Sequence, residues 1–375
     1  MEFDIFFSIC QTEVHGYLPS EKVMFDNFFE QIELADGLGF GTAWIAESHL
    51  STEVQKTNPG AVIPNFVGEI GLNTDILQLA HRVFARTQRI GVGSAIMNIL
   101  CNGGPIAAAE RIRTFLALHG LDPNEQRLLT VGFASGRFPY INIPYGIVPR
   151  NAFEQANWPA AKNKIFEEAT EIFLRLLKGE TLNSSMIATR YIGETAVEPR
   201  WVFPNLKIIP QDVRMELLLL SIGSHDPQMQ IFANTILPVG VFNLSITPGD
   251  EIEKTNERMA TKYQGTWHRR LMPRTVLVFI NDDPEQAAEE ARDTLTNYWR
   301  ALEGTLDEEK VRRATNNALV GDAAAIAKQI RERFHPEDRL MLWFDFNNHD
   351  SKRVMKNMGD FMERVARGAG REARE

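Results

Sequence analysis

The feature that most restricts how this chain folds is the alternation of short apolar runs with amphipathic segments of helical length. Eight runs rich in Val, Ile and Phe stand out: Phe3–Cys10, Thr42–Ala46, Ile90–Met97, Leu128–Ala134, Met215–Ile222, Val239–Leu244, Thr275–Ile280 and Leu340–Phe346. Helical segments separate most of them, at Glu21–Leu38, Ile76–Arg86, Pro105–Leu118, Ala160–Leu177, Pro227–Thr235, Pro284–Ala301 and Ala323–Phe334. Unbroken apolar runs bounded by turn residues are strands buried on both faces, and strands alternating with helices build a parallel sheet. The pattern also suits an open doubly wound sheet, but eight strands in this order predict a (β/α)8 TIM barrel. Pro105, Pro227 and Pro284 fall where a fixed φ and a missing N–H suit a helix start, and Gly39 supplies the left-handed residue that ends the first helix.

A chain of 375 residues accommodates one such barrel with loop insertions, so a single domain over residues 1–375 is expected. Two stretches interrupt the repeat after the fourth strand. Residues 138–158 are rich in Pro, Asn and Tyr and read as a lid; residues 180–212 contain a hairpin pattern around Ala188–Ile192 and Ala196–Val202. Insertions there lie at the C-terminal face, where loops shape access to a barrel's site.

Composition narrows the partners. With 44% hydrophobic and 24% charged residues the chain can bury a sizeable core, and a net charge of -9 argues against nucleic acid or an anionic membrane. Cys10 and Cys101 are too few for a disulfide framework or a zinc site. The start Met1-Glu2-Phe3-Asp4 lacks the cationic and apolar regions of a secretory signal, and no apolar run reaches membrane-spanning length. A cytoplasmic protein is expected.

In a barrel of this type, polar residues at the C-terminal strand ends form the site. These are Glu47, Ser48 and His49 after strand two; Asn98 and Cys101 after strand three; Ser135 and Arg137 after strand four; Asn243 and Ser245 after strand six; and Asp345, Asn347, Asn348 and His349 after strand eight. After strand five, Ser221-Ile222-Gly223-Ser224-His225-Asp226-Pro227 runs directly into a helix. Unpaired amides at a helix start bind anions, and Gly223, Ser221 and Ser224 would complete a phosphate cradle. The simpler local reading is an N-cap by Ser224 or Asp226. Glu47 and His49, two apart, face the same way on an extended segment, either as a proton-transfer pair or as a brace for the loop. No His-Glu-x-x-His or comparable ligand spacing occurs, so no metal is expected. Gly91-Val92-Gly93 lies within a strand instead of after it and is not a dinucleotide-binding turn. Trp44, Trp343 and Phe344 read as packing residues.

Taken together, the stretches Gly39–His49, Val92–Ile96, Gly104–Glu110, Val131–Gly136, Gly223-Ser224 and Leu319–Asp322 resemble, in order and spacing, the bacterial luciferase-like flavin monooxygenases. The resemblance spans most of the chain. It implies that Ser221, Gly223 and Ser224 contact the phosphate of FMN. It also implies that Ala95-Ile96, next to Ser94, lies beneath the flavin ring through a non-prolyl cis peptide, and that Ser135 belongs to the cofactor site. The activity it implies is transfer of an oxygen atom from O2 to a small organic substrate. His49 and Glu47 would be the catalytic residues, a separate flavin reductase would supply reduced FMN, and the protein would be a homodimer. F420 with hydride transfer, or a non-catalytic flavin-binding subunit of a heterodimer, are the alternatives. The sequence departs from the family at Ser48, where the first of a histidine pair is usual, and at Ser135, where some luciferases carry arginine.

Overall fold

The computed structural model describes residues 1–51, 68–136, 138–302 and 317–367. These residues form two compact units. Met1–Ala95, Phe242–Ala260 and His268–Glu375 make the first; Ile96–Val241 with Thr261–Trp267 makes the second.

In the first unit the strands are β1 (Glu2–Phe7), β2 (Thr42–Ile45), the beginning of β3 (Gly91–Asn98), β9 (Arg274–Ile280), β10 (Leu319–Gly321) and β11 (Arg339–Trp343). All pair in parallel, in the order β10-β9-β11-β1-β2-β3. Beyond them, Asn243 forms a parallel bridge with Arg274. In the second unit β4 (Leu129–Ala134), β7 (Leu218–Ile222) and β8 (Gly240–Val241) pair in parallel, and a small antiparallel hairpin joins β5 (Tyr191–Ile192) to β6 (Thr195–Ala196).

The helices are α1 (Glu21–Leu38), α2 (Ile76–Phe84), α3 (Gly104–His119), α4 (Pro139–Asn142), α5 (Ala152–Ala156), α6 (Trp158–Lys178), α7 (Pro227–Asn234), α8 (Gly249–Lys262), α9 (Pro284–Leu302), α10 (Ala323–Arg333) and α11 (Ser351–Asp360). Strand and helix thus alternate in the manner of the (β/α)8 class that the sequence predicts. The expected hairpin is present but shorter, and the expected strand at Met215–Ile222 begins with a 3-10 turn over Met215–Leu217.

The starts of β1, β2 and β11 are held by one buried carboxylate. Asp4 accepts hydrogen bonds from Thr42 N (2.9 Å), Trp44 Nε1 (2.6 Å) and Arg339 Nε (2.5 Å). Trp44 is wholly buried, and its ring explains Gly93: a Cβ there would come within 2.7 Å of the indole. Trp44 and Phe344 are core residues as expected; Trp343 is half-buried, with its ring 4.7 Å from that of Phe6.

The two insertions are locked together within the second unit. Arg200 donates to Glu154 through Nη2 (2.5 Å) and Nη1 (3.2 Å), both side chains being 1% exposed, and Arg200 N donates to Glu168. Arg113 donates to the carbonyls of Leu177, Pro210 and Gln211, tying residues 180–212 to α3 and α6. The segment read as a lid is therefore anchored by a buried ion pair.

Candidate functional site

At the end of β2 the chain stays extended for one residue, as Ala46 N donates to Phe7 O, and then turns. Ser48 N donates to Asn73 O, and Asn73 Nδ2 donates back to Ala46 O (3.0 Å), which fixes the turn from both sides. Glu47 and His49 meet as their spacing predicts: His49 Nε2 lies 3.0 Å from Glu47 Oε1, with the side chains 8% and 4% exposed. Glu47 Oε2 also accepts from Ile76 N (3.2 Å), at the first residue of α2. Both proposed roles are compatible with this geometry, since the carboxylate braces the loop and orients the imidazole. Ser48 Oγ is buried without a partner.

Ser94 is wholly buried on β3, opposite Ile45, and its Oγ has no hydrogen-bond partner. Ala95 and Ile96 are half-buried in the same strand. The expected cis peptide between them is corrected: among the described residues the cis bond is Ile209-Pro210, and β3 runs regularly through Ala95 and Ile96. After β4, the Ser135 carbonyl accepts from Asn142 Nδ2 (3.1 Å), and Asn142 Oδ1 accepts from Asn98 Nδ2 (2.7 Å). Ser135 and Asn98 are thereby joined to the first insertion. Arg137 lies outside the described residues.

The segment after β7 resolves the choice of helix cap. Asp226 caps α7 by accepting from Gln228 N (2.9 Å). Ser224 is left to accept a long hydrogen bond from Asp226 N (3.3 Å). Gly223 lets the Ile96 side chain pack close to the backbone, since a Cβ there would come within 2.5 Å of Ile96 Cδ1 and displace it. Ser221 is 2% exposed, and its Oγ has no partner. Its register neighbours are Gly132 on β4 and Gly240 on β8, so no side chain flanks it on either adjoining strand.

The end of β11 carries a group whose environment sequence reasoning did not reveal. Asp345 Oδ2 accepts from Ser8 N (3.2 Å) and Ser8 Oγ (3.3 Å), while its Oδ1 is enclosed without a partner. The residue retains some exposed surface, but the carboxyl does not, and burial pushes its pKa up to about 6. His349 Nε2 lies 2.6 Å from Thr12 O, and burial lowers the pKa of its ring. The position of Asp345 after a strand was the available signal; the approach of Ser8, distant in sequence, was not. Among the described residues, no three His, Cys, Asp or Glu side chains gather as a metal site.

A profile of the luciferase-like monooxygenases matches residues 1–341. The chain belongs to the luciferase-like monooxygenase family. Its fold is shared with monooxygenase RslO1 of Streptomyces bottropensis, at 17% identity and a TM-score of 0.68 over 98% of this chain and 99% of that one. The FMN-bound oxygenating constituent of 3,6-diketocamphane monooxygenase from Pseudomonas putida aligns at 15% identity and a TM-score of 0.63, over 98% of both chains. An F420-dependent secondary alcohol dehydrogenase with an F420-acetone adduct aligns at 14% and 0.59, over 97% of this chain and 98% of that one. At these identities the likeness establishes the fold. No curated protein is a significant match. The structures that share this fold thus include one in complex with FMN and one with an F420 adduct. No helix among the described residues is long and apolar enough to cross a membrane.

Two features of these residues bear on whether they suit a flavin, one for and one against. Ser94 and Ser221 each bury a hydroxyl that no group among the described residues satisfies, and a buried hydroxyl ordinarily has a partner. The Asp226 carboxylate at the start of α7 acts in the opposite sense, because it places negative charge where a phosphate would be attracted.

Proposed function

We propose that this protein is a flavin-dependent monooxygenase that uses reduced FMN and O2 to oxygenate a small organic substrate. The observation that carries the reading is Ser221: a buried hydroxyl without a partner, set between two glycines, in a family of oxidoreductases. Ser221, Gly223 and Ser224 would hold the FMN phosphate. Ser94, Ala95 and Ile96 on β3, with Ser135, would line the remainder of the cofactor. Reduced flavin, when bound, supplies the electrons that activate O2.

The protein's own contribution begins with Glu47. With Glu47 Oε1 as acceptor, His49 Nε2 would carry the proton and Nδ1 would be left to take up and return one. The burial of both side chains keeps water from that exchange. A separate reductase would deliver the reduced flavin, and the family resemblance supports a homodimer.

The test is to purify the protein, denature it and identify what is released. FMN is expected, and the reconstituted protein should alter the rate at which O2 oxidises reduced FMN. Release of F420 would overturn the FMN assignment in favour of hydride transfer, the reading that the F420-dependent relative supports. Replacing His49 with Ala should lower turnover more than FMN affinity; equal losses would make His49 a structural residue.

A further inference from the structure

In the second unit, α6 follows β4 and returns the chain toward β7, and it packs against α7. The early turns of such a helix stand at the C-terminal ends of the strands it connects. Most charges on α6 are matched within the protein. Lys164 pairs with Glu167 (2.9 Å), Arg175 with Glu171 (2.9 Å) and Lys178 with Glu180 (3.9 Å), while Glu168 accepts from Arg200 N (3.1 Å).

Lys162 is the exception. Its ammonium donates to the Gly136 carbonyl (2.6 Å), and no ion pair joins it to a carboxylate among the described residues. The side chain is half-buried, and burial lowers its pKa with no anion opposing the shift. Arg113, a buried cation on α3, also lacks a carboxylate, but it meets three carbonyls in a fixed fork. An ammonium has three donors, and Lys162 gives one of them to a neutral acceptor. A charge drawn out of water in this way calls for an anion.

The position of that charge matches the strand ends that would hold the flavin phosphate. Gly136 lies two residues past Ala134, at most about 7 Å along the chain. Ala134 stands beside Gly223, since a Cβ built on the glycine would come within 3.3 Å of the alanine Cβ, and Gly223 N donates to Phe133 O (2.9 Å). The flexible stem of Lys162 thus carries its ammonium to the mouth of β4, next to the segment that bears Ser224. A cation there also answers the feature that counts against this cradle, the Asp226 carboxylate at the start of α7. A phosphate monoester carries about −1.5 to −2 charge at pH 7, so a site that holds one near Asp226 needs a positive group to offset the repulsion.

We propose that Lys162 is the residue that selects a phosphorylated flavin, its ammonium meeting the phosphate oxygens of FMN so that FMN is held in preference to riboflavin. The inference rests on the flavin reading above and adds the group that decides which flavin is bound.

Fluorescence titration of the full chain with FMN and with riboflavin, in the wild type, Lys162→Met and Lys162→Arg, tests it. The wild type should bind FMN at least roughly tenfold more tightly than riboflavin, because hydrogen bonds to charged groups are the strong ones. Lys162→Met keeps an unbranched stem and removes the charge; it should weaken FMN binding by roughly tenfold and change riboflavin affinity by less than about twofold. Lys162→Arg should restore most of the FMN affinity, and the salt dependence of FMN binding should flatten in Lys162→Met. Equal wild-type affinity for the two flavins, unchanged FMN affinity in Lys162→Met, or equal losses for both flavins would overturn the assignment of Lys162 and leave the flavin reading standing. Binding of neither flavin by the wild type would overturn both.

Discussion

Two aspartates, Asp4 wholly buried and Asp345 half-buried, stand at opposite ends of the same pair of strands. Asp4, at the start of β1, meets Thr42 N, the Trp44 indole and the Arg339 guanidinium, the last from the start of β11. Asp345, just past the end of β11, accepts from Ser8, just past the end of β1, and its Oδ1 has no hydrogen-bond partner among the described residues. Burial raises the pKa of both carboxyls, but at Asp4 the guanidinium and the indole oppose it, whereas no cation opposes it at Asp345. The lower ends of these strands are finished as structure, and the upper ends are left with unmet polar groups. That is the division expected of a barrel whose stability and chemistry reside at opposite ends.

The largest effect expected is at the finished end. Asp4→Asn keeps an acceptor for Thr42 N but removes the buried anion of Arg339, leaving it only the more exposed Glu2 carboxylate at 3.8 Å. Removing one partner of a buried pair costs about 3–5 kcal/mol, which urea denaturation would detect. A loss below about 1 kcal/mol would show that the network is less integral than its geometry suggests.

Asp345→Asn should act with the opposite sign. A carboxyl whose folded-state pKa lies above the ordinary 3.8 stabilises the fold fully while protonated, below that ordinary value. The contribution is lost as the pH rises through about 6. The neutral amide should therefore match the wild type near pH 4 and exceed it by up to about 3 kcal/mol at pH 8. The same offset at both pH values would place the effect in packing instead of charge.

Most of the frame is legible in the sequence because the strands announce themselves: each continuous apolar run contains most or part of one strand, as little as Gly240–Val241 in the run Val239–Leu244. The elements missed are those with sparse apolar content. On α8 the buried residues are Ile252, Thr255 and Met259, too few to mark a helical stripe among so many charges, and α11 is similarly polar. β10 spans only three residues, Leu319–Gly321, too short an apolar run to stand out as a strand. At the candidate site, Glu47 and His49 could be paired from their spacing of two. Ser221 between Gly132 and Gly240 could not, because that arrangement is a matter of register between strands distant in sequence.

The unfinished end of β7 can be probed by adding charge and then by removing it. Ser224→Glu should weaken FMN binding by roughly a hundredfold through repulsion of the phosphate, with little change in thermal midpoint because Ser224 is only half-buried. Unchanged affinity by fluorescence titration would move the phosphate elsewhere.

The smallest effect is the most discriminating. Asp226 caps α7 with a carboxylate, so the helix start already carries a negative group of its own. Asn accepts the same hydrogen bond from Gln228 N, and cap preferences rank the two residues equally, so Asp226→Asn should leave stability within about 0.5 kcal/mol. The substitution removes the charge while the amides and the dipole remain. If a phosphate binds beside this helix start, FMN affinity should rise by about threefold at low salt, from an interaction of a few tenths to 1 kcal/mol, and the gain should shrink as salt is added. If affinity does not change, Ser221 and Ser224 act without the help of the helix, and the orphan hydroxyl on β7 alone distinguishes this strand end from an ordinary capped turn.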